Sequence, residues 1–480
     1  MASTVTIVQS AFDRSSRGAM AMLLLVLLAY GVFSTPGLMV RWGASPGGVA
    51  IFVAWSLTAL WALATTIRHR LRTEWIAFAV IAIGLRLGSA WFAAPRVSPG
   101  DSHWYLVLAH NLIAGRGLVV DEPFMGVACY ALFPPLYGIV LAGWGAVVGF
   151  STPSLLALST LIDLGAAWSI VRLASFLGVR RAGIAAALVY LILPSVLFSA
   201  PLAQKEGLSV LLVLALAFGW LRAARDARRW RDALAIGLPA ALLALTQPGE
   251  AMLALLFGLV LIPGIGLRRV MTIGMPAALI AVAVMLPWWI RNLVVLGAFV
   301  PLTSSAGYSL WIGNNADATG NWLPPPEQLR GLPEITFGKA AAGLAQEWIV
   351  QHPVGFVRIT IAKFVRAVAI GEFGVVRLAA MNPPISAAIG ALLLPVSHGA
   401  HLLTLAGGAA ALRLRRDPAI AALAALLAAC VVQLMLFGMW FEFGERHREF
   451  LTPFILIAVA VAVPHWARMS DSRRRQPAIA

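Results

Sequence analysis

Apolar runs long enough to cross a bilayer recur along almost the whole of this sequence, separated by short clusters of arginine. No other feature limits the possible folds as strongly. Within hydrocarbon every backbone amide and carbonyl must be satisfied by the protein itself, which leaves helices and closed barrels. The runs are long and continuous, whereas barrel strands are short and alternate. An all-α polytopic membrane protein is therefore expected. The balance of the 480 residues agrees: 60% are hydrophobic and 12% charged, with a mean hydropathy of +0.86. Ordinary soluble domains do not have that balance.

The formal net charge of +16 does not point to nucleic acid as a partner. The arginines sit between apolar runs: Arg68/Arg70/Arg72, Arg180/Arg181, Arg222 to Arg231, Arg268/Arg269, Arg413/Arg415/Arg416 and Arg473/Arg474/Arg475. That is the pattern of cytoplasmic loops held against anionic membrane lipids. Cys129 and Cys430 are far apart and suggest neither a metal motif nor a disulfide framework. The run after Arg14 and Arg17 is long enough for a first span that starts inside.

Spans are expected near 19–39, 49–67, 74–92, 153–176, 183–200, 207–221, 233–247, 250–266, 270–290, 354–371, 384–411 (one long helix or a hairpin), 418–439 and 449–466. The expected total is 11 to 13. A short interfacial helix is expected at 103–116, carrying Leu106, Leu108 and Leu112 among His103, His110 and Asn111, and ending at Gly115–Gly117. Phe133–Pro134–Pro135 suits the start of a further helix to about 149. If that helix crosses fully, the Arg180 cluster falls on the wrong side. One of 134–149 and 153–176 is therefore expected to be re-entrant or tilted in the interface. The longest polar stretch, 291–352, is rich in Asn, Gly and Pro and reads as an outer loop.

Chemistry is expected at the outer boundaries. Asp101 opens a polar island at 98–122 directly after an apolar run. A carboxylate there costs free energy unless it has a partner or a task. It could cap the following helix, serve as a general base, or do both. His103 and His110 lie seven residues apart on one helical face, with Asp101, Asp121 and Glu122 nearby, so a divalent cation is one candidate ligand. Lys205 and Glu206 stand at another outer boundary, where a lysine could meet a lipid phosphate or pair with its neighbours. Arg291 follows the Trp288–Trp289 belt on the side where arginine is depleted, which makes it a candidate phosphate clamp. Glu442, Glu445, Arg446, His447, Arg448 and Glu449 form the densest outer cluster, suited to mutual salt bridges or to a polyprenyl phosphate head.

Four stretches carry a family resemblance: GDSHWYLVLAHNLIAGRGL at 100–118, FPPLYGIVLAG at 133–143, LPWWIRNLVVLGAFVPLTSSAGYSLWIGNNADATG at 286–320 and ERHREFLTPF at 445–454. The chain resembles bacterial membrane glycosyltransferases of the GT-C fold, in the group of protein mannosyltransferases and the aminoarabinose and galacturonic acid transferases of lipid A. The resemblance spans most of the chain from about 74 onward. It implies a GT-C catalytic module over 69–480, with outer loops at 93–133 and 291–352, behind an extra helix pair at 1–68. It also implies a polyprenyl-phosphate sugar donor and inverting transfer at the periplasmic face of the inner membrane. The acceptor would be a lipid-linked or cell-envelope glycan, lipopolysaccharide among them, and the enzyme would act as a monomer without a nucleotide.

By position the family's catalytic acid residue corresponds to Asp101. Many members have a second acidic residue next to it, where this chain has Ser102. That departure weakens a paired-carboxylate metal site. Glu206 matches the acidic residue expected before a later helix. Lys205, Arg291, Arg446 and Arg448 are the expected donor-phosphate ligands. His103, Tyr105, Asp121, Glu122, Glu206, Tyr308, Asn314, Asn315 and Glu445 are expected to face substrate. Two rival readings are a transporter or flippase, which would use charges deep in spans such as Arg86 and Asp163, and a glycan polymerase or ligase acting on polyprenyl-linked substrates.

Overall fold

A computed structural model describes residues 14–474 other than 44, 67–71, 95, 97–99, 123, 227–228 and 415–416. Arg68, Arg70, Arg415, Arg416, Arg475 and the side chain of Glu122 lie outside the described residues. The chain opens with α1 Arg14–Trp42, α2 Pro46–Ala64 and α3 Arg72–Ala93. Next come α4 Asp101–Ile113, the strands β1 Val120–Glu122 and β2 Val127–Cys129, and α5 Pro135–Val148. The strands pair antiparallel with Val120 opposite Cys129. The bundle continues through α6 Thr152–Phe176, α7 Arg180–Leu191, α8 Pro194–Ser199, α9 Glu206–Arg225 and α10 Arg229–Ala244. After a tight turn at Pro248–Met252 follow α11 Leu253–Leu259, α12 Ile262–Ile265 and α13 Leu267–Leu296. The last part holds α14 Ala306–Gly313, α15 Glu334–Gln351, α16 Pro353–Ala369, α17 Phe373–Ala379, α18 Ala387–Leu412, α19 Pro418–Gln433 and α20 Thr452–Arg474.

Ten described helical stretches are long and apolar enough to cross a membrane. Contacts show which helix ends share a face. Arg41 at the end of α1 pairs with Glu372, and Asp101 at the start of α4 pairs with Arg446 just before α20. Leu136 donates to the carbonyl of Leu245 beyond α10, and Ser195 bonds Glu449. All of these belong to one face, called here the site face.

α5 has 14 residues, about 21 Å of helix against a hydrocarbon core of about 30 Å. Its Gly138 lies against Leu108 of α4, so it stays at the site face and α6 makes the crossing. The expected span at 183–200 is broken at Pro194 into α7 and α8. Residues 354–371 do not cross, contrary to expectation. α16 carries Arg358, Lys363 and Arg366. In its first half Phe356 meets the Trp440 ring, and in its second Lys363 reaches the carbonyl of Phe441 while Ala367 and Ile370 accept from Arg448, so both halves touch the same face. α18 is one 26-residue helix, and 384–411 is therefore a single crossing. With α5 and α16 set aside, the ten long stretches plus α7–α8 and α10 alternate without conflict. The helix ends at Ala64, Phe176, Arg225, Ile265 and Leu412 then all fall opposite the site face, and with them Arg180, Arg181, Arg222, Arg225, Arg268, Arg269 and Arg413.

Two apolar clusters hold this arrangement. The larger joins α1, α6 to α11 and α18 to α20 around α19, whose residues are almost all buried. The alanines of α19 let neighbouring backbones approach closely. The second cluster packs Tyr105, Leu108, Tyr137, Leu141, Tyr308, Ile312 and Phe337, fastening α4, α5, α14 and α15 into a cap on the site face. Large apolar side chains such as Phe33, Leu279, Val294 and Val147 stay exposed around the bundle, as a lipid-facing wall requires.

A candidate active site at the mouth of the bundle

Gly100 has φ +68 and turns the chain into α4, making Asp101 the first helical residue and not its cap. No side-chain cap bond forms; the carboxylate points instead to Arg446, with Arg446 Nη1 at 2.5 Å from Asp101 Oδ2. The same guanidinium donates through Nη2 to Glu442 Oε1 at 3.2 Å. Arg446 thus bridges two carboxylates from different parts of the chain.

Three further groups complete the cluster. The ammonium of Lys205 lies 5.6 Å over the ring of Tyr105. Arg377, on α17, pairs with Glu206 at 3.4 Å. Burial alone would push the Asp101 carboxyl up, but Arg446, Lys205 and Arg377 together hold it well below the usual carboxylate range. Burial pushes Lys205 down, against the pull of Asp101. It also pushes Arg377 down to about 10, against the pull of Glu206. Glu442 moves up because burial outweighs its share of Arg446.

Local structure explains how these groups meet. Ser102, in the place of a second acid, accepts a hydrogen bond from Gln204 and so pins the turn that presents Lys205 and Glu206. The segment before Arg446 is strapped to the cap: Glu442 N donates to Ser309 O, Phe443 N to Gly320 O, and Asn314 Nδ2 to Trp440 O at 2.6 Å. Buried Lys363 donates to the carbonyls of both Gly313 and Phe441. A Cβ on Gly313 would stand 2.5 Å from the Phe441 oxygen, so only glycine allows that approach. The 286–320 stretch thus supports the strap that carries Glu442 and leads to Arg446.

The expected site residues divide in two. Asp101, Tyr105, Lys205, Glu206 and Arg446 converge. Arg291 does not join them: it donates to the carbonyls of Tyr130 and Leu118 and to Asn292, stapling the hairpin to the end of α13. Arg448 is buried on the carbonyls of Ala367 and Ile370 and on Glu445. Glu445 in turn accepts from the amides of Glu372 and Phe373, which fixes the start of α17. Tyr308 donates to Leu323 O, Asn315 to Trp311 O, and Asp121 is exposed on the hairpin. Arg86 and Asp163, deep in α3 and α6, pair with each other at 2.9 Å.

Arg377 and Gln204 were not anticipated as parts of the site. Glu334, also not anticipated, lies away from the cluster and holds the amides of Tyr130 and Ala131 and the hydroxyl of Ser304 in the cap.

His103 and His110 do not join into a metal site with the described residues around them. His103 and His110 share a face but stand about 10 Å apart along α4, two turns at the helical rise. His103 meets Trp104 edge-on and His110 packs on Phe150. Among the described residues no three His, Cys, Asp or Glu side chains converge as a metal set. Asp101 is instead ringed by cations.

No protein-family model matches the chain, and no curated protein matches it in sequence. Solved structures do. The oligosaccharyltransferase of Archaeoglobus fulgidus in its apo form superposes with a TM-score of 0.51 at 15% identity, over 86% of this chain and 52% of that one. The same enzyme in complex with Zn and sulfate gives 0.50 at 16% identity, over 82% and 49%. This chain spans about half the length of that archaeal enzyme. At such identity the likeness speaks to fold, and the fold is that of a multi-pass membrane protein of GT-C type.

Proposed function

We propose that this protein is an inverting glycosyltransferase that moves a sugar from a polyprenyl-phosphate donor to a lipid-linked or cell-envelope glycan. The observation that carries the reading is the cluster of Asp101 with Arg446, Lys205 and Arg377 at the mouth of the bundle. A carboxylate beside three cations suits a reaction in which a hydroxyl is deprotonated as a phosphate departs. Asp101 takes the proton of the acceptor hydroxyl. The hydroxyl oxygen attacks the anomeric carbon from the face opposite the phosphate. The bond from that carbon to the phosphate oxygen breaks, and the polyprenyl phosphate leaves with the electron pair. One displacement inverts the centre. Arg446, Lys205 and Arg377 receive the charge that develops on the leaving oxygen.

A lipid carrier also suits the surroundings. Val432, Met435, Leu436 and Trp440 are exposed along the helix that leads up to Glu442, and α16 adds Val357 and Ile361. Residues 434–438 form a π-turn, a widening often met beside functional sites. A prenyl chain could lie along this strip with its phosphate at Arg446. The loop arginines opposite the site face support the reading that this face is periplasmic in a bacterial inner membrane. Arg86 and Asp163, the charges a transport path would use, pair with each other.

The experiment is transfer of radiolabel from a panel of polyprenyl-phosphate sugars to extracted envelope lipids by the purified protein. Labelled product supports the reading. Failure of the protein to consume any donor in the panel would overturn it.

A further inference from the structure

The cluster is balanced in charge. Asp101, Glu206 and Glu442 face Lys205, Arg377 and Arg446, three against three. Both Asp101 and Glu442 are held by Arg446 and Glu206 by Arg377, while Lys205 lies over the Tyr105 ring, so an arriving phosphate can meet Lys205 directly. A second cation for the phosphate must come from one of the existing pairs. The Arg377–Glu206 contact is long, at 3.4 Å, but Glu206 has an oxygen buried without a partner and would lose its remaining one. Arg446 is placed differently. Its two terminal nitrogens hold different carboxylates, Nη1 on Asp101 and Nη2 on Glu442. It can swing off one and stay anchored to the other.

We propose that Arg446 caps Asp101 until a phosphate arrives, so that the donor and the base compete for one guanidinium while Glu442 acts as the hinge. The inference rests on the glycosyl-transfer reading and adds an order to it. Without donor, Asp101 is spent on Arg446 and is a poor proton acceptor. The facing cations that hold its carboxyl down act in the same sense. With donor bound, Nη1 turns to the phosphate and the carboxylate is released toward the acceptor hydroxyl. The base is then active only when a sugar is present to be attacked. Glu442 is a positioning residue, since it acts through Arg446.

The test is binding of a polyprenyl monophosphate to the full chain in nanodiscs of neutral lipid, by calorimetry. Four proteins are compared: wild type, Asp101→Asn, Arg446→Gln and the double variant. Competition predicts that Asp101→Asn binds the phosphate more tightly, by about three- to tenfold, a usual coupling for charges in contact. It also predicts that the gain disappears in the Arg446→Gln background. Unchanged affinity in Asp101→Asn overturns the inference, and so does an equal gain in both backgrounds, which would be the general field of the carboxylate. Loss of transfer in Asp101→Asn without tighter binding would overturn the competition and leave the glycosyl-transfer reading standing. Should Arg446→Gln not fold, infrared difference spectra of the wild type on adding the phosphate decide the matter. A carboxylate band shift that is absent in Asp101→Asn is expected; no shift contradicts the proposal.

Discussion

Arg446 Nη1 lies 2.5 Å from Asp101 Oδ2, joining the first helix of the cap to the threshold of the last membrane helix across 345 positions of sequence. Three parts of the chain bear on that contact. The turn at Gln204 presents Lys205, the 309–320 segment straps down 440–443, and Glu445 and Arg448 fix the start of the helix that carries Arg377.

Arg377→Gln should separate binding from folding. Its removal strips Glu206 of its one ion pair, with an expected stability loss of about 3 kcal/mol, the low end for a broken buried pair. Adding Glu206→Gln should restore much of the melting temperature and none of the phosphate affinity. Recovery of both would mean that Arg377 serves only Glu206.

Arg291→Gln should behave in the opposite way. The two carbonyl bonds to Leu118 and Tyr130 are lost, which costs about 1.5–3 kcal/mol. Thermal unfolding in detergent reads this directly. The KM for donor in the surviving folded protein should match wild type. A selective rise in KM would return Arg291 to the phosphate site.

Gly313→Ala tests the strap. A methyl group there meets the Phe441 oxygen at 2.5 Å and Lys363 Nζ at 2.9 Å. Backbone must move, at a cost of about 1–3 kcal/mol. The shift passes to Glu442 and Arg446, so kcat should fall although position 313 holds no reacting group. Normal kcat with lowered stability would show that the strap only stabilises.

The pH profile has a definite sign on each side. Phosphate binding needs charged cations, and Arg377 is pushed down to about 10 with Lys205 also below its ordinary value. Affinity should be full near neutrality and fall as pH rises toward 10. In the free enzyme Arg446, Lys205 and Arg377 keep Asp101 ionised, so the acid limb of kcat/KM should lie below pH ~4, the ordinary aspartate value. An acid limb near 6 would mean that Asp101 is not the group that titrates.

The sequence disclosed much of the architecture because hydrocarbon imposes it. Long apolar runs gave the crossings, and the arginine clusters gave the helix ends that share the face opposite the site. The parity conflict at 133–176 also pointed correctly to a segment that does not cross. The second non-crossing segment, α16, was read as a span from its apolar residues, although Arg358, Lys363 and Arg366 make it a poor one. That error placed Arg377 on the far face and hid it from the site. Asp101, Lys205 and Arg446 were visible as charges on the wrong side of the positive-inside pattern. Arg291 and Arg448 gave the same signal but spend their donors on backbone carbonyls, a distinction that only tertiary contacts reveal.

Single-turnover transfer from a polyprenyl-phosphate sugar by wild type and Asp101→Asn, both shown to bind polyprenyl monophosphate, tests the central claim most directly. Asp101→Asn should lower the rate constant by about two to four orders of magnitude, the usual contribution of a general base. An unchanged rate in a variant that still folds and binds would contradict the assignment of Asp101 as the base.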